Sequence, residues 1–209
     1  MPDHVRRYAL ALTFLSALAV ALVSLRYLAV SDGAYPFEEQ NAVYAAHSLA
    51  LTVHIAASIL ALLAGPVQFL RGLRERRPAM HRAAGWLYVL AVGAGGVSGL
   101  VLAGHAFGPL SNRIAFTLLA LLWLIATLAG LREIRAGNLL QHRRWMVRSY
   151  ALAFSGVTLR AETLLFAVVG GVDFASAYGA AAWLCWTGNL VFAEWWILRW
   201  PPGKRAVRA

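Results

Sequence analysis

Cysteine is nearly absent from this sequence of 209 residues, since Cys185 is the only one. An intrachain disulfide and a cysteine-rich metal or iron–sulfur site are therefore excluded. A Walker loop, a dinucleotide-binding fingerprint, an HExxH motif and a GxSxG motif are also missing. So are paired carboxylates within the apolar runs, which are typical of many proton- or sodium-coupled carriers. These absences argue against hydrolase and ATPase activities.

Charged residues are scarce, at 13% of the chain, whereas hydrophobic residues make up 60% and the mean hydropathy is +0.63. A soluble domain has about a quarter charged and about half apolar residues. Several apolar runs reach the roughly 20 residues that cross a bilayer. We therefore predict an all-α polytopic membrane protein in which residues 1–209 form a single transmembrane domain.

The apolar runs predict six transmembrane helices, at about residues 8–30, 41–70, 83–104, 114–131, 146–169 and 177–198. We interpret the first run as a helix and not as a cleaved signal peptide. The apolar core of such a peptide covers about 7–15 residues and ends at a small-residue cleavage site. This run is longer, and no such site follows it.

The basic residues predict the orientation of the helices. With a cytoplasmic N-terminus, 16 of the 19 lie in inner segments: Arg6, Arg7, Arg71, Arg74, Arg76, Arg77, Arg82, Arg132, Arg135, Arg143, Arg144, Arg148, Arg199, Lys204, Arg205 and Arg208. This asymmetry follows the positive-inside rule and predicts that both termini are cytoplasmic. It also explains the net charge of +10 without nucleic-acid binding. An interfacial belt is predicted at the inner helix ends, formed by Trp86, Trp145, Trp195, Trp196 and Trp200.

Two similar basic segments, Leu73–Arg82 and Leu131–Arg144, share a Leu-Arg-Glu-x-Arg pattern followed by His-Arg. Each stands between two apolar runs. We therefore predict that spans two to five form a four-helix bundle of two parallel helix-hairpin repeats. His81 and His142 then occupy equivalent places at the cytoplasmic helix starts, where facing helices can hold a cofactor. The alternative is that each His-Arg pair anchors its helix in the interface or binds lipid headgroups.

Two further polar residues interrupt the apolar runs. His54 lies about 11 residues into the second span, roughly 16 Å deep. It is either a functional group or a neutral imidazole hydrogen-bonded to a neighbouring helix. Arg160 is expected near the outer boundary, where it can snorkel. We expect it either to form an ion pair with Asp173, Glu38 or Glu39, or to clamp an anion or propionate.

Three motifs, His54–Phe69, Pro78–Tyr88 and His142–Leu152, together with Val157–Arg160, resemble the DUF2306 family of predicted bacterial membrane proteins. The resemblance covers about residues 41–200. It implies a multi-pass protein of the bacterial inner membrane and no particular reaction. The positions that fit the family pattern are His54, His81, His142, Arg148 and Arg160. A looser similarity is to transmembrane b-type cytochromes, which hold haem between histidines of facing helices.

Two hypotheses follow for the function. In the first, the protein transfers electrons through haem b, with His81 and His142 as axial metal ligands. Arg82 and Arg143 pair with the propionates, and His54 belongs to a second or quinone-binding site that serves a redox partner. In the second, it is a non-redox carrier or accessory subunit. Its basic inner face binds anionic membrane lipid or another anionic ligand, and His54 and Arg160 line a polar path.

A third possibility is a divalent metal ion at His81 and His142. Such a site needs further ligands, and only Glu75 and Glu133 are near in sequence. The oligomeric state is left open by the sequence.

Overall fold

A computed structural model describes residues 3–30 and 35–199, and within these ranges all regular structure is helical. The helices are α1 (Asp3–Leu25), α2 (Asn41–Ala46), α3 (Ser48–Gln68), α4 (Arg71–Arg76), α5 (Pro78–Ala103), α6 (Leu110–Arg135), α7 (Leu139–Ala153), α8 (Ser155–Leu164) and α9 (Phe174–Arg199). A 3₁₀ turn precedes α2 and a π turn follows α8. The side chains of Arg6 and Arg7, and the predicted basic tail with Trp200, lie outside the described residues.

Five helical segments of this part of the chain are long and apolar enough to cross a membrane: Tyr8–Leu25, Ser48–Gln68, Pro78–Ala103, Leu110–Arg135 and Leu139–Val169. The all-helical membrane fold is thereby confirmed. Helix α9 is also 26 residues long. It is not among these five segments, and Trp183, Trp186 and Asn189 lie within it. The sixth span therefore stays a prediction.

The predicted second span is divided in two. Helix α2 ends before His47, whose φ of −118° and ψ of 33° interrupt the helix, and α3 begins at Ser48. The predicted basic loop of residues 71–82 is also largely helical, since it forms α4 and the first turn of α5. The N–H of the first helical residue has no acceptor within the helix. Proline, which has no N–H, therefore suits this position. Pro78 therefore opens α5, five residues before the predicted start of the third span.

A ring of helices forms the centre of the molecule. α3 packs against α5, α5 against α6, α6 against α7, and α7 against α3, which is the predicted four-helix bundle. Helix α1 covers α3 and α8, and α9 covers α7, α8 and α6. The relation of the two hairpins as internal repeats stays a prediction.

A chain of three buried hydroxyl groups crosses the bundle axis. Thr127 donates to the Trp123 carbonyl oxygen at 2.8 Å, so it must accept from Ser149 at 2.7 Å. Ser149 has only one hydroxyl hydrogen, so it in turn accepts from Tyr88 at 2.8 Å. The chain joins α5, α6 and α7, and its members are almost fully buried. Such hydrogen bonds hold helices together where lipid replaces water.

The inner half of α3 fits closely around Tyr150 of α7. Pro66 has no N–H, so the Leu62 carbonyl oxygen one turn earlier lacks its helical donor. The Tyr150 hydroxyl donates to that oxygen at 3.3 Å. The ring of Tyr150 occupies the space beside Gly65, where an added Cβ would lie only 2.2 Å from ring carbons. Pro66 therefore leaves a hydrogen-bond acceptor for the Tyr150 hydroxyl, and Gly65 leaves space for its ring.

Candidate functional site

His81 lies in the first turn of α5 and contacts Gln68, which ends α3. The amide nitrogen of Gln68 faces His81. This nitrogen donates to the imidazole Nδ1 at 2.9 Å and to the His81 carbonyl oxygen at 3.2 Å. An imidazole that accepts at Nδ1 carries its hydrogen on Nε2 when it is neutral. His81 therefore presents a donor, and not a lone pair, at its other nitrogen.

His142 lies in the first turn of α7 and has the opposite tautomer. Its Nδ1 is 2.8 Å from the Gly130 carbonyl oxygen of α6. A carbonyl only accepts, so Nδ1 carries the hydrogen and the lone pair is on Nε2. His81 and His142 are close enough to interact electrostatically. The two imidazoles therefore lie at the same end of the bundle, as the His-Arg pattern predicts.

A cavity of about 10 Å³ lies beside Gln68, the residue that contacts His81. It is lined by Gly65, Gln68, Phe69, Tyr88, Met146 and Tyr150, and by neither histidine. Neither candidate carboxylate joins the histidines, because Glu75 pairs with Arg71 and Glu133 with Arg132 and Asn138. Across the described residues, no three His, Cys, Asp or Glu side chains converge on a metal position.

The candidate arginines of the inner end differ in their surroundings. Arg148 is committed to Glu194 of α9 through two hydrogen bonds, one of them 2.9 Å between Nη2 and Oε2. Its guanidinium also stacks on Trp145, 4.7 Å from the ring centroid. A carboxylate partner makes Arg148 a structural residue of the α7–α9 contact. Arg82 and Arg143, which follow the two histidines in sequence, are exposed.

His54 lies in α3, six residues after its start, which is about 9 Å along the helix axis. Its Nδ1 donates to the Gly95 carbonyl oxygen of α5 at 2.8 Å. Gly99 makes room for the ring, because a Cβ there would lie 3.1 Å from Cε1 and Nδ1. The ring is thus held between α3 and α5.

Arg160 of α8 has an exposed side chain that bonds to its own helix and to α1. Its Nη1 donates to the Gly156 carbonyl oxygen at 2.7 Å, one turn back toward the middle of the bundle. Its Nη2 donates to the hydroxyl of Ser24, a buried residue at the end of α1, at 3.4 Å. No ion pair with Asp173, Glu38 or Glu39 forms, and no other carboxylate of the described chain lies within 4 Å of Arg160.

Three tyrosines from separate elements interact electrostatically with Arg160: Tyr27 after α1, Tyr44 of α2 and Tyr178 of α9. We call Arg160 and these tyrosines the outer cluster. Tyr44 packs edge-on against Tyr27, Tyr35 and Phe37. Within the described residues, none of the three hydroxyls has a hydrogen-bond partner. The outer cluster thus combines a cation with three hydroxyl groups, each of which can donate or accept a hydrogen bond.

Asp173, the nearest loop carboxylate in sequence, has another role. The backbone N–H of Ser176 donates to its Oδ1 at 3.0 Å, so Asp173 caps the start of α9. Hydrogen bonds from Ser176 hold the pKa of Asp173 below its ordinary value. The carboxylate therefore stabilises a helix terminus and does not neutralise Arg160.

Comparison with known proteins assigns the chain to a family but not to a reaction. The curated proteins give no match, and the solved structures give none either. A family model described as "Predicted membrane protein (DUF2306)" matches residues 51–197. That range includes His54, His81, His142 and Arg160, and it covers more than half of the 209 residues. The chain therefore belongs to the DUF2306 family of predicted membrane proteins.

Proposed function

We propose that this protein is a non-redox membrane carrier, or the accessory subunit of one, which binds an anionic ligand at the outer cluster. The observation that carries the proposal is the state of Arg160. An arginine inside a membrane protein is costly unless it is paired, and such residues mark ligand or ion pathways. Arg160 has a hydroxyl and one carbonyl as partners but no carboxylate.

The geometry also supports an anion rather than a cation. A guanidinium has five N–H donors and no acceptor. The described bonds engage Nη1 and Nη2 once each, which leaves donors for a ligand. The hydroxyls of Tyr27, Tyr44 and Tyr178 add donors, and their rings add apolar surface. A carboxylate or phosphate group fits the donors, and an aromatic or aliphatic body fits the rings.

Binding of two probes, benzoate and inorganic phosphate, tests the proposal. The purified protein in detergent should show a saturable rise in melting temperature with at least one probe. Arg160→Gln should abolish the rise, because the amide carries no charge. Arg113→Gln is the matched control, since Arg113 is another exposed arginine outside the inner segments. An equal rise in the Arg160→Gln protein, or no rise with either probe, contradicts the proposal.

Haem-based electron transfer is the second candidate, and one observation favours it. A metal-binding histidine usually donates its other N–H to a carbonyl or carboxylate, as His142 does to Gly130. His81 accepts from Gln68 at Nδ1, so its Nε2 carries a hydrogen and offers no lone pair to a metal. The residues present therefore fit one axial ligand and not two. When bound, haem b would supply one-electron redox chemistry, with Arg82 and Arg143 near its propionates.

An absorption spectrum separates the two candidates. Protein purified from haem-replete cells should be colourless if it is an anion carrier. A Soret band that His142→Ala removes would favour haem instead.

A further inference from the structure

A recess of about 320 Å³ lies where α5 ends and α6 begins. It is lined by Gly104, Leu110, Arg113, Ile114, Thr117 and Leu118. The five lining residues of α6 recur every three or four positions, so they form one face of that helix. The recess opens toward the surroundings of the bundle, because its leucines and isoleucine are exposed.

The wall of this recess is held in place by the two residues that precede Arg113. The indole Nε1 of Trp183 in α9 donates to the Ser111 hydroxyl at 2.9 Å. The Asn112 amide donates to the Phe107 carbonyl oxygen at 2.9 Å, which ties α6 to the loop before it. Tertiary contacts therefore fix the start of α6, and with it the position from which the Arg113 side chain extends.

Arg113 is the only charged residue that lines the recess. Within residues 3–30 and 35–199, its guanidinium forms no ion pair and no hydrogen bond. The Thr117 hydroxyl, one turn further along α6, also has no partner in that part of the chain. A guanidinium binds a phosphate through two parallel N–H···O bonds, and a hydroxyl can donate another. The polar part of the recess is therefore complementary to an anionic oxygen group.

The remaining wall of the recess is apolar and follows α6 into the bilayer. Leu118 lies eight residues after Leu110, which is about 12 Å along the helix axis. The charge distribution predicts that α6 begins at the outer surface, so this wall descends from the headgroup region into the hydrocarbon. A matching occupant is anionic at one end and apolar along about 12 Å. A soluble anion would leave the apolar wall uncovered.

We propose that this recess binds one anionic glycerophospholipid of the outer leaflet. Its phosphate contacts Arg113 and Thr117, and the upper part of one acyl chain lies along the leucines and isoleucine of α6. A zwitterionic lipid binds less tightly, because its ammonium group offsets the charge of the phosphate. One arginine near the membrane surface accounts for a preference of about fivefold. This lipid site is separate from the outer cluster and does not depend on the ligand proposed there.

Photo-crosslinking with mapped adducts tests the proposal. Phosphatidylglycerol or phosphatidylcholine, each with a diazirine in the same acyl chain, is added at equal and low mole fraction to the purified protein in detergent micelles. Mass spectrometry then locates the adducts. We expect phosphatidylglycerol to give about fivefold more adducts on residues 110–118 than phosphatidylcholine does. The mapping separates these adducts from those at the arginine-rich inner segments.

Two variants separate the charge of the recess from its volume. Arg113→Gln should lower the phosphatidylglycerol adducts on residues 110–118 to the phosphatidylcholine level and leave those at the inner segments unchanged. Gly104→Leu should lower the adducts of both lipids, because its side chain fills the recess. The backbone allows a leucine there, since Gly104 has φ −60° and ψ −20° and an added Cβ would meet no atom nearer than the Val101 carbonyl oxygen at 3.6 Å. Arg26→Gln, a change of another exposed arginine that does not line the recess, is the control and should keep the lipid preference.

Equal yields from the two lipids on residues 110–118 of the unchanged protein overturn the proposal, and so does a preference that persists in Arg113→Gln. If Arg113→Gln fails to fold, the comparison of the two lipids in the unchanged protein decides. Glycerol 3-phosphate, which has the phosphate without the chains, should not compete. Competition would identify a soluble phosphate ester as the ligand and overturn the lipid assignment. Arg160→Gln should keep the lipid adducts, and Arg113→Gln should keep the response to benzoate, so the two sites are tested separately.

Discussion

At the scale of single residues, Gly65 shows how tightly the inner half of the bundle is packed. The ring of Tyr150 lies where a side chain of Gly65 would be, and Tyr150 is only 8% exposed. Its hydroxyl is also fixed by the Leu62 carbonyl, which Pro66 leaves without a helical donor. The tyrosine therefore cannot move aside without losing a hydrogen bond within the bundle.

Gly65→Ala should lower the free energy of unfolding by about 1–3 kcal/mol, as overpacking of a well-filled core does. Gly93→Ala is the matched control, because no atom lies within 4 Å of a Cβ at Gly93, which is also within a helix. It should be neutral or slightly stabilising, since alanine favours helices over glycine. Thermal unfolding in detergent measures both. Equal melting temperatures for the two variants would contradict this packing.

The sequence predicts some members of the candidate site and misses others for a physical reason. His54 and Arg160 stand out because each is an ionisable group within an apolar run. Tyr27, Tyr44 and Tyr178 do not, since tyrosines are common near membrane interfaces and these belong to three separate elements. Gln68 also gives no signal, because its contact with His81 depends on how α3 and α5 meet. Only tertiary packing brings these groups together.

At the scale of helices, α7 and α8 are separated at Phe154, where the sequence predicts one continuous span. The Ala151 carbonyl oxygen accepts from the Asn189 side chain at 3.0 Å and from the Ser155 hydroxyl at 3.4 Å. Side-chain bonds to helical carbonyls of this kind bend helices. Asn189 also donates to the Thr158 hydroxyl at 3.1 Å, so one amide of α9 bridges the break.

Asn189→Leu should therefore weaken the contact between α9 and the two helices it bridges. The expected loss is about 1–2 kcal/mol, the range found for hydrogen bonds between membrane helices. Thr187→Val is the control, because the Thr187 hydroxyl bonds only to the Trp183 carbonyl of its own helix. Unfolding in mixed micelles with increasing SDS provides the measurement. A larger loss for Thr187→Val than for Asn189→Leu would show that the bridge is unimportant.

The ends of the helices are also determined by tertiary contacts that the sequence does not reveal. The apolar periodicity of residues 41–70 and 146–169 contains no interruption, so it predicts single helices. The breaks at His47 and Phe154 are visible only in the folded chain. By contrast, the existence and order of the five long apolar helices follow from the sequence alone, because the bilayer requires about 20 apolar residues per span. Local composition sets the helices, and contacts between them set their breaks.

At the scale of the whole molecule, the orientation in the membrane can be measured with single cysteines. The native Cys185 is fully buried, so it should not react with a membrane-impermeant thiol reagent. Val172→Cys should be labelled in intact cells, since the charge distribution predicts that residue 172 lies outside. Gly72→Cys, Ala136→Cys and Arg199→Cys should react only after the membrane is opened. The reason is the excess of arginine in these segments.

Arg199→Cys also decides the number of spans. Helix α9 runs from Phe174 to Arg199, so its two ends lie on opposite sides only if it crosses the bilayer. Labelling of Arg199→Cys in intact cells would mean that both ends of α9 lie outside, and that α9 does not cross the bilayer. Labelling of Gly72→Cys in intact cells would show that the whole bundle has the opposite orientation to the predicted one. The native protein, which should remain unlabelled, is the control in the same labelling experiment.

The ion pair of Arg148 and Glu194 has a consequence for how the ribosome delivers this chain to the membrane. Arg148 emerges from the ribosome 46 residues before its partner. An unpaired arginine costs about 3 kcal/mol at the centre of a membrane helix and less near its inner end, where Arg148 lies. Neither charge is neutralised until both segments have been synthesised. We therefore expect α7, α8 and α9 to integrate into the bilayer together, after the earlier helices have been inserted.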